Sequence, residues 1–209
     1  MDYQKHWSGI YQTKAPNDVS WYQVRPERSL DYIQKTGIGL DDPIIDVGAG
    51  ASTLVDYLIA AHYRDITLLD ISAEALAITR DRLDEADTYI NWIVGDITSV
   101  ELPKNHYAVW HDRAVFHFLT NPMIKQRYVE QVHHAVKPGG HVIIATFALD
   151  GPEQCSGLNV ARYDAQSLSQ ALGNRFRLID SSKETHQTPW GSEQRFVYGY
   201  FQQQGSESR

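Results

Sequence analysis

From Pro43 onward, short apolar runs alternate with stretches in which apolar residues recur every three or four positions. Ile44-Ile45-Asp46-Val47 reads as a buried strand ending in Gly48-Ala49-Gly50. Leu54, Val55, Leu58 and Ile59 then share one face of a helix that starts near Ser52. Ile66 to Leu69 is a second strand, stopped by Asp70. Ser72 caps the next helix, which runs through Leu83 with Glu74 near its positive end. Tyr89 to Val94 is a third strand, followed by Gly95-Asp96, and Tyr107 to Trp110 opens a fourth. Asn121-Pro122 has the form of a helix start. That helix carries Val129, Val132 and Val136 and is expected to stop at Pro138-Gly139-Gly140. His141 to Phe147 is a fifth strand, and residues 148–163 form a loop. Asp164 caps a short helix holding Leu168 and Leu172, with Gly173 at its end. Two last strands, about 176–185 and 194–201, flank a turn region at Pro189-Trp190-Gly191.

Strands that alternate with helices imply an α/β fold: a Rossmann-like, mainly parallel seven-stranded sheet with helices on both faces. The closing pair has no helix between its strands, so the last strand is expected to run antiparallel. The 209 residues suit one domain over 1–201. Within it, residues 1–28 form an aromatic N-terminal arm with Trp7, Tyr11, Trp21 and Tyr22, broken by Pro16 and Pro26. The arm reads as a short helix and a loop, followed by a helix with Leu30 and Ile33 on one face. The polar segment 202–209 is expected to be disordered.

Composition narrows the functional classes. No run of about 18 apolar residues is present, so no membrane helix is expected. Met1 to Trp7 is polar and lacks the apolar core of a secretion signal. Cys155 is the single cysteine, which excludes an internal disulfide, argues against a cysteine-based zinc site and fits a reducing cytoplasm. The net charge of -7, with no Lys/Arg cluster, argues against nucleic acid as the partner. The nine histidines are scattered, and the adjacent His133 and His134 point in different directions on a helix. No metal site is expected.

Five segments carry chemistry. Gly48 and Gly50 let the backbone turn sharply after the first strand and approach a ligand closely; ligands of such sheets sit at the carboxyl ends of the strands. A plain strand-to-helix turn is the competing explanation. Asp70 lies twenty residues after Gly50 and is placed to accept hydrogen bonds from both ribose hydroxyls of a nucleoside, against the alternative of a solvated strand-end aspartate. Asp96, after the third strand, can accept from an adenine amino group, with Ile71 and Ile97 sandwiching the ring. The fourth segment is Asp112-Arg113-Ala114-Val115-Phe116-His117, and the fifth is Pro138-Gly139-Gly140.

Taken in order over roughly residues 40–150, these segments resemble the class I S-adenosylmethionine (SAM)-dependent methyltransferases. The resemblance implies an adenosine over Gly48 and Gly50, with ribose on Asp70 and adenine on Asp96. Thr53 stands where a nicotinamide-type Rossmann protein carries its third glycine, which counts against a dinucleotide. The arm is similar to the entry segment of methyltransferases related to those that modify lysines of elongation factor 1A and citrate synthase. On that resemblance Trp7, Tyr11 and Trp21 close over the methionine part of SAM, where aromatic faces attract a sulfonium and exclude water. Asp112, grouped with the cofactor residues, stands where the elongation-factor branch carries a lysine and so points away from a lysine-bearing protein acceptor.

Methyl transfer from a sulfonium is an in-line displacement, so alignment is the protein's main task. A general base is required only for a protonated acceptor. His117 is the candidate, weighed against a locally packed histidine. Tyr163, Arg162 and His111 are weaker candidates for substrate contact, and Cys155 is either an acceptor-site residue or a small apolar one. The expected function is a SAM-dependent methyltransferase with a small-molecule acceptor. The alternatives are a protein lysine methyltransferase and, less favoured, a non-catalytic nucleoside-binding Rossmann protein.

Overall fold

A β-strand sends successive side chains to opposite faces, so a strand that is apolar at every position has to be covered on both sides. The first strand, β1 (Ile44–Val47), is buried along its whole length, with Ile44 in one apolar cluster and Ile45 in the other. The computed structural model describes residues 2–83 and 89–205. In chain order the elements are α1 (Tyr3–Thr13), α2 (Glu27–Lys35), β1, α3 (Leu54–Ala60), β2 (Ile66–Asp70), α4 (Ala73–Leu83), β3 (Ile90–Val94) and β4 (Tyr107–Arg113). There follow α5 (Pro122–Ala135), β5 (Val136–Phe147), β6 (Gln154–Cys155), β7 (Leu158–Asn159), α6 (Ala165–Leu172), β8 (Phe176–Gln187) and β9 (Glu193–Gln203).

The seven-stranded sheet has the order β3-β2-β1-β4-β5-β9-β8. The first five strands in that order are parallel, and β9 pairs antiparallel with both β5 and β8. Tyr32, Ile33, Leu54 and Leu58 from α2 and α3 cover one face. Tyr128, Val132, Leu168 and Leu172 from α5 and α6 cover the other. The strand order turns back between β1 and β4, which opens a crevice at the carboxyl ends of the strands. Among the described residues, no helix is long and apolar enough to cross a membrane.

Several boundaries differ from the sequence expectation. β4 continues past Trp110 to Arg113. His111 and Asp112 are polar yet buried in it, because each finds a partner inside the fold, a pattern that hydrophobic periodicity does not register. α5 stops at Ala135 rather than at Pro138, and Val136 already pairs with Tyr107 in the sheet. Lys137 precedes proline and is therefore disfavoured in the helical region. β9 reaches Gln203, two residues into the segment expected to be disordered, where it pairs with Phe176; residues 206–209 lie outside the described residues. β6 and β7 form a tight hairpin within the loop 148–163, turning on Ser156 (φ 51°) and Gly157 (φ 76°).

The arm is more regular than its pattern suggests. Asp2 caps α1 by accepting from the Lys5 amide at 3.0 Å. α1 buries no residue fully; polar bonds fix it to the start of α4, with the Ser8 hydroxyl (2.5 Å) and the Gln12 amide (2.9 Å) donating to Glu74. These bonds hold the Glu74 carboxyl well below its usual range, at about 2, the Ser8 bond being the largest cause. Trp7 and Trp21 rest on the nearby apolar cluster.

Candidate functional site

The site begins at the turn after β1. Gly48 has φ 69° and Gly50 has φ 51°. A Cβ on Gly48 would run into the Val115 side chain, and one on Gly50 would lie 2.5 Å from the Tyr11 hydroxyl. Both steric crowding and positive φ therefore require glycine here. The Gly50 amide donates to Asp70 Oδ2 at 2.9 Å, and the Ser72 amide donates to Asp70 Oδ1 at 2.8 Å. Asp70 thus bridges two strand-end turns while its side chain lines the cleft. Burial pushes its carboxyl up to about 6, although both amide bonds oppose the shift.

A cleft of about 1010 Å³ opens at this edge of the sheet. Asp70, Ile71, Asp96 and Ile97 line one side, and Trp7, Tyr11 and Trp21 from the arm line another. Gly48 lines it as well, and Gly50 stands behind, joined to Asp70. Asp96 is oriented by the Thr98 amide and hydroxyl, both donating to its Oδ1 at 2.8 Å. The arm rings meet edge to face: Trp7 to Trp21 at 5.7 Å between centroids, Trp7 to Phe118 at 5.0 Å and Tyr11 to Trp21 at 6.4 Å. Edge-to-face packing leaves ring faces and edges available to a ligand on the open side.

Two candidates lie elsewhere. Asp112 is fully buried and points to the α5 side, accepting from the Tyr128 hydroxyl and from the Val115 and Phe116 amides. Burial pushes its carboxyl up to about 6. It shapes the turn after β4 and does not line the cleft. His117 is also fully buried. Its ring packs against Phe118 and Phe147, and its Nδ1 accepts from the Phe147 amide at 3.3 Å. Burial, helped by Arg113, pulls His117 down to about 3. Such an imidazole is neutral and a poor proton acceptor, and it is not part of the cleft wall. Of the weaker candidates, Tyr163 packs on Phe116, and Arg162 is engaged by the Gly151 carbonyl and Glu153. Cys155 does line the cleft, and burial pushes its thiol up.

His111 faces a second, smaller cavity of about 560 Å³ that adjoins the glycine turn. There its Nδ1 lies 2.7 Å from Asp46 Oδ1 and its Nε2 2.8 Å from Ser29 Oγ. Arg113 borders both cavities and did not stand out in the sequence. The segment 112–117 signals the right place, but its strand phase turns Asp112 away from the cleft and Arg113 toward it. Phe118 and Val115, also on the cleft wall, carry no sequence signal beyond being apolar.

Residues 44–140 match the family described as "Methyltransferase domain". The chain is 27% identical over 163 residues to a ubiquinone biosynthesis O-methyltransferase of Serratia proteamaculans, covering 78% of this chain and 66% of that protein. It is 28% identical over 126 residues to the protein of the same name from Pectobacterium carotovorum, covering 60% and 51%. The chain thus spans between about half and two thirds of the length of these relatives. Among solved structures, the N-methyltransferase NodS of Bradyrhizobium japonicum with bound S-adenosylhomocysteine superposes with a TM-score of 0.70 at 15% identity, over 94% of this chain and 97% of that one. A Burkholderia thailandensis 1,6-didemethyltoxoflavin-N1-methyltransferase with its acceptor and S-adenosylhomocysteine gives 0.68 at 16% identity, over 97% and 85%. The fold is that of these SAM-dependent enzymes.

Proposed function

We propose that this chain, whose residues 44–140 match the methyltransferase-domain family and whose fold is shared with a methyltransferase solved with S-adenosylhomocysteine, transfers a methyl group from SAM to a small-molecule acceptor. The observation that carries the reading is Asp70, a buried strand-end carboxylate in the cleft wall, tied to the glycine turn. The residues present fit the donor. Asp70 retains lone pairs for two ribose hydroxyls, and Asp96, held through one oxygen, keeps the other for an adenine amino group. Ile71 and Ile97 supply apolar contact. Trp7, Tyr11 and Trp21 surround the place where a sulfonium would lie and keep water from it. Bound there, SAM supplies an electrophilic methyl group; the chain's own work is to position and to dehydrate.

Calorimetry tests this directly. SAM and S-adenosylhomocysteine are expected to bind with micromolar affinity and NAD not at all, because Thr53 replaces the third glycine of a dinucleotide site. Binding of NAD without SAM defeats the proposal. A screen with tritiated SAM against metabolite pools and lysate proteins then separates a small acceptor from a protein. The arm's similarity to the lysine-modifying branch keeps a protein lysine as the second reading.

Asp70 also makes cofactor affinity pH-dependent. Its carboxyl sits at about 6 in the free protein. Two ribose hydroxyls donate best to the ionised form, because a protonated carboxyl gives up acceptor capacity on one oxygen, so binding lowers that value and releases a proton wherever Asp70 was protonated. Affinity for S-adenosylhomocysteine is therefore expected to be full above about pH 6 and to fall up to tenfold per unit below it. Titrations between pH 5 and 8 check this; a flat profile removes Asp70 from the ribose.

A further inference from the structure

We propose that Thr79, aided by Arg82, is a positioning residue for SAM: from α4 it sets the glycine turn, and through the turn the groups that face the cofactor in the methyl-transfer reading, on which the proposal rests. Neither side chain lines the cleft. Gly50 is held at both of its polar atoms. Its amide donates to Asp70 Oδ2 at 2.9 Å, and its carbonyl accepts from the Thr79 hydroxyl at 2.8 Å. Thr79 is 1% exposed and lies 29 residues along the chain, so this bond ties α4 to the turn. The next two carbonyls are held from the same helix. Arg82 donates to the Ala51 carbonyl at 3.4 Å and to the Ser52 carbonyl at 2.6 Å. Its guanidinium is itself fixed by Asp56 of α3, Nε to Oδ1 at 3.0 Å and Nη2 to Oδ2 at 2.9 Å. Three consecutive carbonyls thus face α4.

Gly50 sits at φ 51°, and glycine exchanges positive for negative φ at little cost, so its own backbone does not keep that conformation. The tie to Thr79 does. A peptide unit is planar and trans, so its C=O and N–H point in opposite directions. With the Gly50 carbonyl drawn to Thr79, the Ala51 amide of the same unit faces the other way, toward the Tyr11 hydroxyl. That hydroxyl lies 2.5 Å from where a Cβ of Gly50 would stand, and Asp70 Oδ2 lies 3.6 Å from the same point. One residue therefore seats both the Tyr11 hydroxyl and the Asp70 carboxylate, two groups of the cleft wall, and α4 decides how it is turned.

A bond that only fastened α4 to its neighbours would act on stability alone. This one acts on the ligand as well, because the opposite edge of the same peptide belongs to the cleft. Without the Thr79 hydroxyl the Gly50 carbonyl lacks its donor, and the unit gains by rotating toward water. Rotation carries the Ala51 amide off Tyr11 and slackens the Gly50 bond to Asp70.

Thr79→Val and Thr79→Ser separate the bond from the packing. Valine keeps the volume and loses the hydroxyl; serine keeps the hydroxyl and loses a methyl group. By calorimetry at pH 7, Thr79→Val is expected to bind S-adenosylhomocysteine about tenfold more weakly than the parent, and Thr79→Ser within about threefold of it. Tyr11→Phe added to Thr79→Val should cost less than it costs alone. The pH profile gives a readout that lost stability would not move. A slackened Gly50 amide no longer helps to ionise Asp70, so the midpoint of the affinity profile, about 6 for the parent, should rise in Thr79→Val. The other groups acting on Asp70, the Ser72 and Ile71 amides and the Asp46 charge, are left in place by this variant. Should Thr79→Val not fold, Arg82→Met at a 30% exposed position takes its place, with binding expected to weaken about threefold. Parental affinity and midpoint in Thr79→Val, or parental affinity in its substitute, overturn the proposal. So does a Thr79→Ser as weak as Thr79→Val, which assigns the loss to packing. A parent chain that binds no S-adenosylhomocysteine overturns the methyl-transfer reading itself, and this proposal with it.

Discussion

Replacing Asp70 with alanine is expected to weaken SAM binding about 30- to 150-fold while leaving the fold intact. Two charge-assisted bonds to ribose, each worth about 1.5–3 kcal/mol, disappear, and water in the cleft recovers part of that, leaving a net loss of about 2–3 kcal/mol. The structure adds a second contribution, because the same carboxylate fixes the Gly50 and Ser72 amides. Without it the glycine turn loses its tie to β2. Thermal stability is expected to change little, since two effects oppose. The carboxyl sits at about 6, above its ordinary 3.8. A raised carboxyl stabilises the fold at acid pH, and that contribution is lost as pH rises through about 6, so at pH 7 the ionised group is a burden whose removal is favourable. The freed amides lose their acceptor, and water entering from the cleft partly satisfies them. Asp70→Asn is not expected to be gentler. Asparagine presents one acceptor and one donor where the protein offers two amide donors, so its NH₂ must face one of them. Calorimetry and melting on both variants decide the matter. An Asp70→Ala that melts normally and binds SAM like the parent moves the ribose elsewhere.

The side of the cleft where the proposed cofactor would lie was legible as a cluster of strand ends because it is written in local chemistry. Gly48 and Gly50 follow an apolar run, Asp70 and Asp96 each end another, and parallel α/β topology puts all strand ends on one edge. The opposite wall was not. Asp112 and His117 were the polar residues that drew attention in the segment 112–117, yet both turn into the protein, and the cleft receives Arg113 and Phe118 instead. That outcome depends on β4 extending three residues past Trp110, which the polar letters of His111, Asp112 and Arg113 conceal. Likewise α1 has no buried residue to give it a helical stripe. It is held by Asp2 at its start and by Glu74 across the cleft edge, both polar contacts that periodicity ignores. The α5–β5 boundary was misjudged because Pro138 acts one residue earlier than it stands, through the restriction on Lys137.

His111→Ala should produce the largest loss of stability. His111 is 3% exposed, Asp46 4% and Ser29 0%. The imidazole lies between the Asp46 carboxylate at 2.7 Å and the Ser29 hydroxyl at 2.8 Å, joining α2 to two central strands. Facing a carboxylate, Nδ1 donates, and Nε2 is left to meet the serine hydroxyl. Removing the ring strands a buried carboxylate two residues before Gly48. Breaking one side of such a buried pair costs about 3–5 kcal/mol, whereas exchanging both partners costs far less. For a domain of this size each kcal/mol corresponds to about 2–4 °C, so melting should fall by roughly 6–20 °C. Ser29→Ala removes the bond to His111 and a long one to the Tyr198 hydroxyl at 3.5 Å, both neutral, and should cost about 1–2 kcal/mol. Asp46→Asn keeps an acceptor for Nδ1 and should fall between the two. The double variant Asp46→Asn/His111→Ala should melt well above the sum of the single losses, because the uncompensated carboxylate is gone. Strict additivity, or a His111→Ala that melts within a degree or two of the parent, would show that the contact contributes little and that α2 is held to the sheet by its apolar face alone.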